Sequence, residues 1–441
     1  MHIILLSGGS GKRLWPLSNG TRSKQFLKLL TSPSGEKESM IQRVTRQIGE
    51  SQLEADIIVA TAASQADSII SQLGHSVKTV TEPERRDTFP AIALSCAFLM
   101  MEEKMSDDEP IIVMPCDSYV DSSYFEAIQE VAQRVDDNEA ELVLIGIKPT
   151  VPSTKFGYLL PDITDESKIK TFVEKPDVNK AEKLIGEGAV WNGGVFGFRL
   201  GYIRKIFEKY VIADNFHDFR SRYSELPKIS FDYEVAEKAV SVGVVYYDGQ
   251  WKDLGTWDTL SNELSDDAIG NCINSDSTDT TIINELNIPI VCHHADGLIV
   301  AASPDGILVA DKTSSDTIKN AVQSIETRPM YEDRRWGSYK VIDNIEFNDG
   351  FCALTKQLTL IPDCSISYQR HKCRDEVWTF IDGEGEIVID GIRGKVSRGD
   401  TFTVLKGQMH TLRAITPLTF IEVQRGRNLI EEDIERFDYE W

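Results

Sequence analysis

Long apolar runs are absent from these 441 residues, and no stretch approaches the roughly 20 apolar residues that a membrane-spanning helix needs. Cysteine is sparse: the seven present are scattered, odd in number and never spaced Cys-x-x-Cys, which argues against a disulfide framework and fits a reducing cytoplasm. Positive charge is in deficit. Lys and Arg number 47 against 70 Asp and Glu, a formal net charge of -23, which speaks against a nucleic-acid or acidic-membrane surface. No basic segment followed by an apolar core and a cleavage site opens the chain, so the short run His2-Ile3-Ile4-Leu5-Leu6 reads as a strand rather than a signal. What is there is an ordinary soluble composition, 41% hydrophobic and 27% charged, at a length that predicts two or three domains.

Against that acidic background the first thirty residues carry Lys12, Arg13, Arg22, Lys24 and Lys28 but no Asp or Glu. The strand run ends in Ser7-Gly8-Gly9-Ser10-Gly11, and Lys12-Arg13 follows at once. Glycines let backbone N–H groups approach an anion closely, and the adjacent cations add charge, so the segment reads as a polyphosphate site. Two familiar phosphate loops are excluded. A Walker A loop needs Gly where Leu6 stands and Ser or Thr where Arg13 stands; a dinucleotide fingerprint needs its third glycine at Leu14.

Apolar runs at 2–6, 56–61, 77–81, 111–115, 142–147 and 194–199 predict strands, alternating with helices near 64–73, 90–104, 123–135 and 178–186. The alternation predicts a mostly parallel sheet covered on both faces, with ligands at the carboxyl ends of its strands. Short strands at 281–283, 288–291 and 306–310 and a helix over 315–325 form a small β appendage, and 331–441 alternates strands and turns as an antiparallel barrel does.

The combination GGSGKRLWP plus SKQFL resembles the sugar-nucleotide pyrophosphorylases, a nucleotidyltransferase family, and within them the mannose-1-phosphate guanylyltransferases. Further segments are similar in order: Thr81–Thr88, Met114-Pro115-Cys116-Asp117-Ser118, Phe172-Val173-Glu174-Lys175-Pro176, Trp191–Phe196, Ser230–Glu234 and Trp251–Trp257. The resemblance implies an α/β, GT-A-like (Rossmann-like) domain over 1–267, a small β segment over 268–328 with β-helix character, and a cupin-like β-barrel over 329–441. It implies guanylyl transfer from GTP to α-D-mannose 1-phosphate with Mg²⁺ as cofactor. Arg13, Lys24 and Asp117 become catalytic and Asp117 with Asp253 the metal carboxylates. Gly8, Gly9, Gly11, Lys12, Glu82, Arg86, Gly157, Glu174, Lys175, Asn192, Gly193 and Asp232 become substrate contacts. Asp87 and Phe89 depart from the family's Asn and Ala. No nucleic-acid or membrane partner is implied, and room is left for a homo-oligomer.

Two polyanions must meet for this reaction, so cations, backbone donors and a metal on two loop carboxylates supply the catalysis, and no nucleophilic side chain is required. Taken singly, Asp117 would be a turn residue and Lys175 a solvated charge; the ordered recurrence of the segments carries the reading.

Residues 334–410 resemble the cupin of bifunctional enzymes that add a type II mannose-6-phosphate isomerase. His371, Glu376 and His410 survive there as a set of three metal ligands, but Cys373 and Val377 stand where that family has histidines. Cys373 is expected either as a fourth, thiolate ligand closing the site or as a small buried hydrophobe in a degenerate scaffold; both predict a poor isomerase. The alternatives are transfer to another sugar 1-phosphate such as a manno-heptose, a bifunctional enzyme, and a non-catalytic nucleotide-sugar sensor.

Overall fold

The computed structural model describes residues 1–9, 11–325 and 327–441. The chain forms two compact units. One holds residues 1–13, 23–66 and 75–265; the other holds 14–22, 67–74 and 266–441. Among the described residues no helix is long and apolar enough to cross a membrane.

The first unit is built on a nine-stranded sheet. Its order is Lys78–Glu82, Asp56–Ala62, His2–Ser7, Pro110–Pro115, Val190–Arg199, Leu142–Ile147, Val242–Tyr247, Asp165–Val173 and Tyr158–Asp162. Ile3, Ile4 and Leu5 are wholly buried, as a central parallel strand covered on both faces requires. Helix Thr88–Met101 is apolar nearly all round and lies in the main core with Phe196, Phe198, Phe207 and Phe231. Asp87 caps it, accepting from the Thr88 N–H at 2.8 Å, with Pro90 in the first turn.

The mostly parallel sheet expected from the βα alternation is instead mixed: four pairings are parallel and five antiparallel. The expected strand at 194–199 begins at Val190 and runs antiparallel between two others. That reversal brings Trp191, Asn192 and Gly193 to the end of the sheet where His2–Ser7 and Pro110–Pro115 also finish their parallel pairing.

In the second unit, Ala268–Gly270, Thr281–Asn284 and Leu298–Ser303 stack in parallel, as do Cys272–Ser275 and Ile290–His293, which makes a short β-helix coil. Ile282, Cys292 and Val300 fill its interior. The helix expected over 315–325 is absent as such. A 3-10 turn, Lys312–Thr317, leads into a single helical turn, Ile318–Ala321. Asp311 accepts from the Ser314 N–H, and the Thr317 hydroxyl donates to the Ser314 carbonyl, local bonds that compete with the helical ladder.

From Tyr331 onward, six strands and five strands form two antiparallel sheets around Trp378, Phe380, Leu412 and Phe420, the barrel anticipated from the turn spacing.

Candidate active site

Gly8 and Gly9 follow the carboxyl end of the His2–Ser7 strand. Gly9 and Gly11 hold φ of 142° and 66°, and a side chain at Gly8 or Gly9 would point into open space, so this backbone is available to a ligand. Ser23 steadies the loop by donating to the Gly9 carbonyl at 3.2 Å, and buried Gln25 donates to the Ser7 hydroxyl at 3.2 Å. Thr61 donates to the Ser7 carbonyl at 2.8 Å. Gln25 and Thr61 were not anticipated from sequence. Gln25 lies inside SKQFL, and nothing in its residue type marks it as buried.

Asp117 follows the Pro110–Pro115 strand, which pairs in parallel with His2–Ser7. Asp253 ends the Trp251–Asp253 strand, whose antiparallel register sets it opposite Ser118 and therefore beside Asp117. Both carboxylates converge on Lys24: its Nζ lies 2.7 Å from Asp117 Oδ2 and 3.2 Å from Asp253 Oδ1. Burial disfavours the ammonium, but the two carboxylates outweigh it and hold the Lys24 pKa above its ordinary value. Arg13 and Asp253 flank the bare face of Gly255, where a Cβ would lie 3.3 Å from the guanidinium and 3.0 Å from the carboxylate. Cys116, next to Asp117, is fully buried and its thiol pKa is pushed up by that burial, so it offers no thiolate.

A second group gathers Gly157, Glu174, Lys175, Asn192 and Asp232. Asn192 donates from its amide to Asp232 at 2.9 Å and from its backbone to the Gly157 carbonyl at 2.8 Å. Glu174 pairs with Lys175 at 2.5 Å and lies so close to Gly157 that a Cβ there would meet its Oε2 at 2.5 Å. A side chain at 157 would displace the Glu174 carboxylate and press on the Phe172 ring, whose Cζ would lie 2.9 Å from the Cβ. Gly193 serves packing, with the Ile145 carbonyl 3.2 Å from where its Cβ would be.

Glu82 is buried and accepts from Tyr223 at 2.7 Å, and burial raises its pKa. Arg86 donates to the Leu226 carbonyl at 3.0 and 3.2 Å and to Glu84 at 2.8 Å, tying its segment to the Leu226 turn. Tyr223 is a further partner that sequence reasoning missed.

Burial, followed by the charge of Glu174, lifts the Asp232 pKa from 3.8 to about 6. The sign follows. With the folded pKa above the unfolded one, the folded chain holds this proton more tightly; the resulting stability is complete below about pH 4 and is lost as pH rises to about 6. Asp232→Asn is therefore expected to stabilise the protein at pH 7 by at most about 2–3 kcal/mol, at about 1.36 kcal/mol per unit, and not at pH 4. Denaturant melts at the two pH values check this, and equal effects at both would contradict it.

In the barrel, His371, Glu376 and His410 form the one fully buried cluster of metal-ligand type among the described residues. His371 Nε2 lies 3.2 Å and His410 Nε2 3.6 Å from the Glu376 carboxylate. Each ring places Nδ1 against a backbone carbonyl, Asp433 at 2.5 Å and Gln408 at 3.1 Å, so the Nε2 lone pairs face inward. Burial lowers both imidazole pKa values, which keeps the rings neutral. Arg374 donates to Glu376 at 2.9 Å from inside the barrel.

Both readings of Cys373 are corrected here. The thiol is exposed, neither a ligand nor a buried hydrophobe. The strands break between Arg370 and Arg374, and Asp433 accepts from the Lys372 and Cys373 N–H groups at 2.9 and 3.0 Å, turning residue 373 outward. Val377 alternates with buried Glu376 and Trp378 and so faces the opposite side of its strand.

The fold is that of an α/β domain with a glycine-rich loop and two carboxylates gathered at the carboxyl ends of its central strands, and comparison with known proteins places it among the nucleotidyl-transferring enzymes. The Nucleotidyl transferase family model matches residues 2–269, and the Mannose-6-phosphate isomerase C-terminal model matches 323–439. The xanthan biosynthesis protein XanB of Xanthomonas campestris pv. campestris (strain B100) is 32% identical over 99% of this chain and 97% of its own length. The mannose-1-phosphate guanylyltransferase of Klebsiella pneumoniae is 28% identical over 98% of each chain. Among solved structures, the mannose-1-phosphate geranyltransferase of Thermus thermophilus matches with a TM-score of 0.61 at 27% identity, over 74% of this chain and 99% of that one. The chain belongs to the nucleotidyl transferase family.

Proposed function

We propose that this enzyme transfers the guanylyl group of GTP to α-D-mannose 1-phosphate, giving GDP-mannose and pyrophosphate, in the cytoplasm and in the service of polysaccharide synthesis. The observation that carries the reading is the convergence of Asp117 and Asp253 on Lys24 beside the glycine loop. The named activity of the Klebsiella relative supports the choice of substrates. Residues 1–267 would hold the reaction, with 268–328 and 329–441 as appended domains.

A nucleotidyl transferase works with a divalent metal, and Mg²⁺ fits here. Two oxygen ligands already aimed at one cation, on partly exposed loops, leave the remaining positions to phosphates and water. When bound, the metal neutralises charge on the triphosphate. The loop N–H groups of Gly8, Gly9 and Gly11, with Lys12 and Arg13, hold the phosphates, and Lys24 sits where charge accumulates. Asn192, Glu174, Lys175 and Asp232 orient the sugar phosphate, with Gly157 leaving room for Glu174, Gly193 keeping the strand beneath close, and Glu82 with Arg86 shaping the base and ribose end. A sugar-phosphate oxygen then bonds to the α-phosphorus, the bond from that phosphorus to the bridging oxygen breaks, and pyrophosphate departs in line. The attacking oxygen is already ionised, so no side chain has to remove a proton. The test is product identification by ³¹P NMR with GTP and mannose 1-phosphate. GDP-mannose with pyrophosphate is expected, and GTP hydrolysis alone, or no turnover, would refute the reading.

The cupin supports a second activity, metal-dependent interconversion of mannose 6-phosphate and fructose 6-phosphate. With Cys373 outside the site, nothing from that residue closes a fourth position on His371, Glu376 and His410. Isomerisation by metal-replete protein that His371→Ala abolishes while guanylyl transfer persists is the expected result. No isomerisation at saturating Zn²⁺ or Mg²⁺ would leave the barrel a scaffold, as its missing histidines suggested.

A further inference from the structure

The nine residues 14–22 lie between Arg13 and Lys24 in sequence, yet they pack with the β-helix rather than with the strand they follow. Four separate contacts fix them. The Arg22 guanidinium makes a two-pronged pair with Glu285 at 2.8 and 2.9 Å, the geometry that a planar fork imposes most specifically. Asn19 donates to Asp305 at 2.7 Å while its own oxygen accepts from the Thr21 and Arg22 N–H groups, so one side chain both folds the segment and ties it down. Ser303 donates to the Pro16 carbonyl at 2.7 Å. The Trp15 ring covers Gly306, where a Cβ would meet it at 2.5 Å and the φ of 153° also favours glycine. Asp305 is itself fixed, accepting from the Met330 N–H at 2.6 Å.

We propose that this clasp is a positioning device for the nucleotide site: Glu285 and Asp305, acting through Arg22 and Asn19, hold the stretch of chain whose two ends carry Arg13 and Lys24. It rests on the proposed nucleotidyl-transfer reading. Preorganised phosphate cations must sit within a fraction of an ångström of their working positions, and flanking glycines give the chain no stiffness of its own. A stretch anchored on both sides supplies that stiffness from outside the loop. Arg22, Glu285, Asn19 and Asp305 are positioning residues and need not touch substrate.

The test compares Glu285→Gln, Asp305→Asn, Arg22→Glu and the exchanged pair R22E/E285R with the wild-type chain. It measures kcat and KM for GTP, GTP affinity by equilibrium binding, and Tm. The single variants, assayed well below their own melting temperatures, are expected to lose about ten- to a hundredfold in kcat/KM, mainly through KM for GTP, and the exchanged pair to recover part of the loss. A clasp that merely stabilised the fold would lower Tm and leave KM for GTP alone, and that result would overturn the proposal. So would single variants with wild-type kcat/KM beside an active wild-type chain. A wild-type chain that neither turned over nor bound GTP would instead remove the functional reading and the clasp with it.

Discussion

Asp117→Asn and Asp253→Asn should each lower kcat by about 10²–10³-fold, the scale on which one preorganised electrostatic group contributes to a transition state. Each carboxylate contacts the Lys24 ammonium from a separate loop, Asp117 at 30% and Asp253 at 39% side-chain exposure. Removing one leaves Lys24 with a single counter-charge and leaves any divalent ion with a single protein ligand. Folding should be little affected, because partly exposed loop acids away from the core change stability by only about 0.5 kcal/mol. Initial rates over a Mg²⁺ titration, with melts in parallel, give the answer. Wild-type turnover at ordinary Mg²⁺ would show that the two acids belong to the surface and not to the chemistry.

Lys24→Ala and Arg13→Ala should each lose about ten- to over a hundredfold in kcat/KM, since a charge-assisted hydrogen bond is worth about 1.5–3 kcal/mol. The Lys24 variant should show a second effect that Arg13→Ala does not: Asp117 and Asp253 would face each other without the ammonium between them. Higher Mg²⁺ should therefore recover part of the Lys24→Ala activity by supplying the missing positive charge. Wild-type efficiency in both variants would reduce the basic island to a solvated face.

The parts of this molecule legible in its sequence share one physical property, local pattern. The His2–Ser7 strand, the glycine loop and helix Thr88–Met101 could be read because continuous apolar runs and turn residues declare themselves over a few positions. Strand Asp165–Val173 could not. Its sequence, DESKIKTFV, is largely polar and half-exposed with no continuous apolar run; it folds back on Tyr158–Asp162 as a hairpin and meets Val242–Tyr247 on its other side. Local pattern showed neither the antiparallel direction of the strand expected at 194–199 nor its start at Val190, nor the register that sets Asp253 beside Asp117; motif resemblance named both acids without showing what brings them together. Cys373 failed for a sharper reason. Treating 371, 373 and 376 as one metal motif assumes an unbroken geometry, whereas Asp433 captures the backbone at 372 and 373 and points the thiol away. The β-helix clasp on residues 14–22 was equally invisible, because Glu285 and Asp305 lie far along the chain from Arg22 and Asn19.

The most direct test of guanylyl transfer is the initial rate of pyrophosphate release from GTP with a panel of sugar 1-phosphates at saturating Mg²⁺, run beside Asp117→Asn. Rapid release is expected that depends on mannose 1-phosphate, is much slower with a manno-heptose 1-phosphate or glucose 1-phosphate, and is nearly abolished in the variant. Release favouring the heptose phosphate would reassign the substrate. No sugar-dependent release from properly folded wild-type protein would contradict guanylyl transfer outright.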